Sequence, residues 1–134
     1  MIGWAVSGVL IVVAAFHLLW ALGLWVPLGD EAALARAVFG VPGAARMLGP
    51  VPAALVAVAA FFLALLPHLA WVPFRQALLA LAGLVLGARG LAAWTPAWRR
   101  HFPQQPFARL DRVFYGPLCL VLGAGLIFLA TRGA

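Results

Sequence analysis

Apolar side chains fall into four long blocks separated by shorter polar stretches. Ile2 to Val26 is apolar almost throughout, as are Pro50 to Trp71 and Val113 to Ala130; Phe74 to Trp94 is interrupted by Gln76 and Arg89. A membrane-crossing helix needs about 20 largely apolar residues. Each block therefore predicts one span, over about 2–26, 50–71, 74–94 and 113–130. The fold class expected is all-α: an integral membrane, antiparallel four-helix transmembrane bundle, forming one domain over 1–134. No cationic segment precedes the first block and no cleavage pattern follows it, so it reads as a retained helix and not as a signal peptide.

The connections are predicted in turn. In loop one, Asp30 is placed to cap a short helix and Gly40 to stop it, with Glu31 and Arg36 matched to the helix dipole. Leu34 and Val38 share one face, so this helix is expected to lie on the membrane surface. Loop two, around Pro73, is tight and makes a hairpin of spans two and three. Loop three carries Pro96, Pro103 and Pro106 and is expected to be mostly irregular.

Composition excludes the soluble alternatives. The 134 residues are 66% apolar and 9% charged, with a mean hydropathy of +1.10; ordinary soluble domains carry about 25% charged residues. The single cysteine, Cys119, cannot form an internal disulfide. All nine basic residues are arginines, against three acidic residues, giving a net charge of +6. No basic stripe is interleaved with stacking aromatics, so a nucleic-acid partner is not expected. The arginines instead report topology. Loops one and three hold six (Arg36, Arg46, Arg99, Arg100, Arg109, Arg112) and the opposite side holds two, Arg75 and Arg132. Positive residues favour the cytoplasm, which puts loops one and three inside and both termini outside. Trp25, Trp71, Trp94 and Trp98 fall at span ends, as an interfacial aromatic belt requires.

The two halves echo one another. Trp25-Val26-Pro27 and Trp94-Thr95-Pro96 end the odd spans; Arg46-Met47-Leu48-Gly49-Pro50 and Arg112-Val113-Phe114-Tyr115-Gly116-Pro117 open the even ones. The echo suggests parallel two-helix repeats, related by an axis along the membrane normal, which would set Trp20 and Arg89 at equivalent heights.

Polar residues inside the spans are the candidate site. An arginine at mid-helix costs about 2.5–3.5 kcal/mol on insertion scales, so Arg89 should face protein or snorkel outward. His17 lies near the midplane and needs a partner, as does the indole of Trp20 one turn away. A helix–helix hydrogen bond would meet the need of His17 with no other role. Asp111, just before span four, reads as an N-cap, with Tyr115 on the same face. An ion pair of Asp111 with Arg89 or with Arg46 would offset the burial of charge. His17, Trp20, Arg46, Arg89, Asp111 and Tyr115 together outline a polar pocket between helices, open to the cytoplasm and suited to an anionic or amphipathic headgroup.

Other chemistry finds no support. No acidic residue lies within a span, as a proton-coupled exporter would need; there is no Cys-x-x-Cys pair. His17 and His68 fall in opposite halves, unsuited to axial haem ligation, and His101 stands alone in a loop, so no metal and no cofactor are expected. Gly83-x-x-x-Gly87 permits close helix packing.

The stretch His17-Leu-Leu-Trp20-Ala-Leu-Gly23 with Trp25, and Pro106-Phe107-Ala108-Arg109-Leu110-Asp111 running on to Tyr115-Gly116-Pro117-Leu118-Cys119, resembles a bacterial family of small four-span membrane proteins, domain of unknown function 3995. Gly116 stands where serine is similarly common. The resemblance implies a membrane location and a four-span architecture, and no activity, substrate or cofactor. The expectation is a multi-pass protein of the bacterial inner membrane that binds a lipid or other amphiphile. The alternatives are a structural or accessory subunit, self-associated or attached to a larger membrane partner, or a lipid- or isoprenoid-modifying enzyme or small transporter.

Overall fold

Four apolar runs become four long helices, and no strand forms among the described residues. The computed structural model describes residues 2–47 and 49–132; Met1, and Leu48 of the Arg46–Pro50 motif, lie outside them. Helix α1 is Ile2–Ala21, α2 is Glu31–Val38, α3 is Pro50–Leu65, α4 is Arg75–Ala92 and α5 is Pro96–His101. A last helical stretch, Phe107–Arg132, comprises α6 (Phe107–Leu110), a π turn (Asp111–Tyr115) and α7 (Gly116–Arg132). Ile2–Ala21, Pro50–His68, Arg75–Ala92 and Phe107–Arg132 are each long and apolar enough to cross a membrane. The structure is an all-α bundle.

Local chemistry sets the helix ends. α1 stops at Ala21, short of Val26, because Gly23 adopts φ +82°; the Gly23 amide donates to Trp20 O and the Leu24 amide to Leu19 O, the pairing of a glycine-terminated helix. α3 starts on proline at its first position, where the missing N–H costs nothing, and passes at Pro67 into the 3₁₀ turn Leu66–His68. α2 forms as expected, with Asp30 accepting from the Ala33 amide at 3.0 Å. Loop three is more helical than its prolines suggest. Thr95 caps α5 by accepting from the Trp98 amide and Pro96 occupies the first turn, so that proline starts a helix instead of breaking one.

The long helices pack as two antiparallel pairs, α1 with α3 and α4 with α7. Spans two and three are joined by a short turn, as expected, but each packs mainly against another helix. Alanines line the first interface: Ala14, Ala57, Ala60 and Ala64 are buried. The second is closer still. Gly83 meets Gly123 and Gly90 meets Gly116; a Cβ on Gly90 would sit 2.7 Å from Gly116 O, and one on Gly123 would sit 2.7 Å from Gly83 O. Small residues allow such backbone approach, and without a hydrophobic driving force in lipid it is dispersion that holds helices together. The Gly83-x-x-x-Gly87 motif thus serves this pair, with Gly87 also lying against Gly123.

The pairs join at the end that carries the termini and loop two. Val6, Leu10, Ala64, Leu66, Leu79, Leu122 and Leu126 form one buried cluster there. At the opposite, arginine-rich end, loop one does the joining. α2 does not lie free on a surface: Leu34, Ala35 and Ala37 are buried. Gly40 is wedged under Phe102 and Phe107, and the Gln104 amide donates to Gly40 O at 2.9 Å. The outward faces of the long helices are apolar, with Val51, Leu55, Val58, Leu84, Val85 and Val121 all exposed.

Candidate functional site

Asp111 is the most deeply buried charge. Helix formation begins at Phe107, not Val113, so Asp111 lies inside the fourth span and is no N-cap; its own backbone carbonyl accepts from the Gly116 amide across the π turn. The wider turn carries one residue more than an α turn and shifts the faces that follow. Glycine contacts between α4 and α7 bring the two backbones together here, since a Cβ on Gly116 would lie 2.9 Å from Ala93 Cβ and 3.2 Å from Gly90 O.

Both carboxylate oxygens of Asp111 are engaged. Arg89 Nη2 donates to Oδ1 at 2.7 Å, and Trp98 Nε1 donates to Oδ2 at 2.8 Å. Of the two arginines the sequence offers, Asp111 therefore takes Arg89. The Trp98 ring also lies over the guanidinium, 4.4 Å from Arg89 Cζ to the ring centroid, a cation–π arrangement. Phe102 backs Trp98 at 4.4 Å, and its Cβ rests against Gly40. A wall thus runs from the ion pair through α5 to loop one.

One polar atom of this centre is left over. Arg89 Nη1 is buried and has no hydrogen-bond partner among the described residues. A buried, unsatisfied donor costs about 1–3 kcal/mol, more when charged, so such atoms are rare unless something outside the chain meets them.

The other candidates fall around this centre, not all within it. Tyr115 Oη donates to Ala37 O at 2.8 Å, tying the fourth span to α2. His17 Nδ1 bonds Val13 O at 2.8 Å, within its own helix, and Trp20 Nε1 donates to Val26 O at 2.7 Å. Their rings pack together at 4.7 Å. No hydrogen bond among the described residues joins either of them to Arg89 or Asp111. Arg46 is exposed, while the neighbouring Met47 amide donates to Glu31 Oε2 at 3.1 Å.

A family model described as protein of unknown function (DUF3995) matches residues 10–126, most of the chain. The chain belongs to this family. No curated protein and no solved structure matches it.

In this DUF3995 chain a second polar cluster, outside the residues expected from the sequence, stands at the terminal end. Ser7, buried in α1, donates to Ala64 O at 2.6 Å and lies 2.8 Å from His68 Nε2. The hydroxyl has one proton and gives it to the carbonyl, so His68 is the donor in the second bond. That arrangement ties α1 to α3 and does not activate a nucleophile. Trp4 stacks on His68 at 4.1 Å, and Arg75 Nη1 donates to Pro67 O at 2.8 Å. An apolar groove of about 380 Å³ between α1 and α3, lined by Ile11, Ala14, Leu18, Ala57, Val58 and Phe61, is separate from both polar clusters. Trp98 is the main omission from the predicted site: its place at a span end suggested a belt residue, whereas in the structure it lies in α5, next to the Thr95 cap, and donates to Asp111.

Proposed function

We propose that this chain is a non-catalytic, multi-pass protein of the bacterial inner membrane that holds an amphiphile with its polar group at Arg89 and its chain in the bilayer. One observation carries the reading. Arg89 Nη1 is buried without a partner, whereas both oxygens of Asp111 and the indole of Trp98 are already paired. A guanidinium presents several donors in a fixed fork, so the nitrogen left over has a defined direction from which an acceptor oxygen would have to approach. In this reading Arg89, Asp111 and Trp98 form the polar end of the site. Tyr115 braces it through α2, His17 and Trp20 stabilise span one, and Arg46 lies outside it. The excess of arginines in loops one and three favours a cytoplasmic location for that end.

An enzymatic role draws no support from the same atoms. Asp111 accepts a bond on each oxygen and is not poised as a base, and Ser7 spends its proton on a backbone carbonyl. A second reading, a structural or accessory subunit whose polar residues only lock helices, is favoured by the local bonds of His17 and Trp20. Native mass spectrometry separates the two. Arg89→Lys preserves the charge opposite Asp111 but removes the second nitrogen. The binding reading expects a co-purifying small molecule on the wild type that is lost from the folded variant. Equal retention, or a wild type that carries nothing, favours the structural subunit.

A further inference from the structure

The charges around Arg89 narrow the class of molecule that would bind there, on the reading just proposed. Arg89 is always cationic and Asp111 pairs with it at 2.7 Å, so the buried centre is already neutral. The arginines nearest in sequence to Asp111 and Trp98, namely Arg99, Arg100, Arg109 and Arg112, are all exposed, and among the described residues none of them bonds Asp111. An anionic headgroup brought to Nη1 would bury a charge that nothing buried compensates, and burying an unpaired ion is the costliest step of this kind. A neutral oxygen meets the lone donor at no such cost.

The same bookkeeping distinguishes neutral groups from one another. A hydroxyl brings a proton that needs an acceptor of its own, for which each Asp111 oxygen, already accepting one bond, keeps one lone pair, so it must satisfy two partners at once. A carbonyl accepts and does not donate. We infer that the ligand of this site is a neutral amphiphile offering a carbonyl oxygen, an ester or ketone on an apolar chain, to Arg89 Nη1. Trp98, which lies over the guanidinium from the six-residue α5, stays in place in this reading through its bond to Asp111 Oδ2, so the carbonyl meets Nη1 beside an intact Trp98–Asp111 contact.

The test follows the Arg89 guanidinium resonances by ¹⁵N NMR in the full chain in nanodiscs near pH 7, assigned with Arg89→Lys. The probes are methyl dodecanoate, a long-chain methyl ketone, dodecyl phosphate and dodecane. Saturable displacement of the Nη1 signal by the ester and the ketone, with dodecyl phosphate at least tenfold weaker and dodecane inert, is the result expected. Dodecyl phosphate binding as tightly as the ester, or more so, would overturn the neutral-carbonyl class and leave amphiphile binding at Arg89 standing. Displacement by dodecane as strong as by the ester would remove polar recognition altogether. If no probe moves the signal, both this inference and the reading beneath it fall.

Discussion

Arg89 and Asp111 stand 22 positions apart on consecutive spans, and their side chains meet at 2.7 Å beneath the ring of Trp98. Glycine makes the meeting possible, because Gly90 and Gly116, each next to a member of the centre, let the two backbones touch. Packing and electrostatics are therefore one device here: the close pair of helices brings the charges into range, and the charges fix the register of the pair.

Breaking the pair from one side should cost more than removing it whole. Arg89→Ala leaves the Asp111 carboxylate, 3% exposed, without its cation, a loss of about 3 kcal/mol. The double variant Arg89→Met/Asp111→Leu should recover a large part of it. Thermal unfolding in detergent measures both, and a double variant no better than the single would show that the pair is worth its burial.

Enlarging the glycine contact should separate the helices. Gly90→Ala places a Cβ 2.7 Å from Gly116 O and 2.7 Å from Leu120 Cγ, and overpacking of this kind costs about 1–3 kcal/mol. Gly87→Ala, whose Cβ meets nothing within 4 Å, should be close to neutral in the same unfolding experiment.

The spans were legible because lipid demands long apolar runs, which no other requirement produces. Their ends were less so. α1 stops at a left-handed Gly23 and the fourth span starts at Phe107, and both points lie inside stretches of unremarkable hydropathy. Asp111 reads as a cap because a charge before an apolar run usually is one, and the helix preceding it is too short to register as a periodic pattern. His17 and Trp20 share a face, as their spacing implies, but nothing in that spacing reveals that Val13 and Val26 carbonyls meet their needs. Ser7 was invisible because a lone serine in an apolar helix carries no pattern, and its partners come from a different span.

Phe74 holds φ at +59° as the residue before α4, and it is 82% exposed. A left-handed conformation costs an L-residue about 1–2 kcal/mol, which glycine does not incur. Phe74→Gly should therefore raise the unfolding temperature in detergent, where the exposed ring makes few contacts; a lowered temperature would mean that the ring itself anchors the terminal end.

Tyr115→Phe removes one bond, to Ala37 O, and keeps the ring packed near Phe107. The net loss should be about 1 kcal/mol and confined to one place. Hydrogen exchange should quicken in α2 and at Gly40, and remain unchanged in the terminal core around Leu66 and Leu126. Uniform acceleration would show that loop one is not a separable strap.

The most direct measurement is a cryo-EM or crystallographic map of the protein taken from its native membrane without delipidation, at a resolution that places side-chain oxygens. A chain-bearing, non-protein density with a polar atom within hydrogen-bonding distance of Arg89 Nη1, beside an intact Arg89–Asp111 pair, is expected. A map in which Nη1 bonds a protein carbonyl, or water alone, would contradict that expectation.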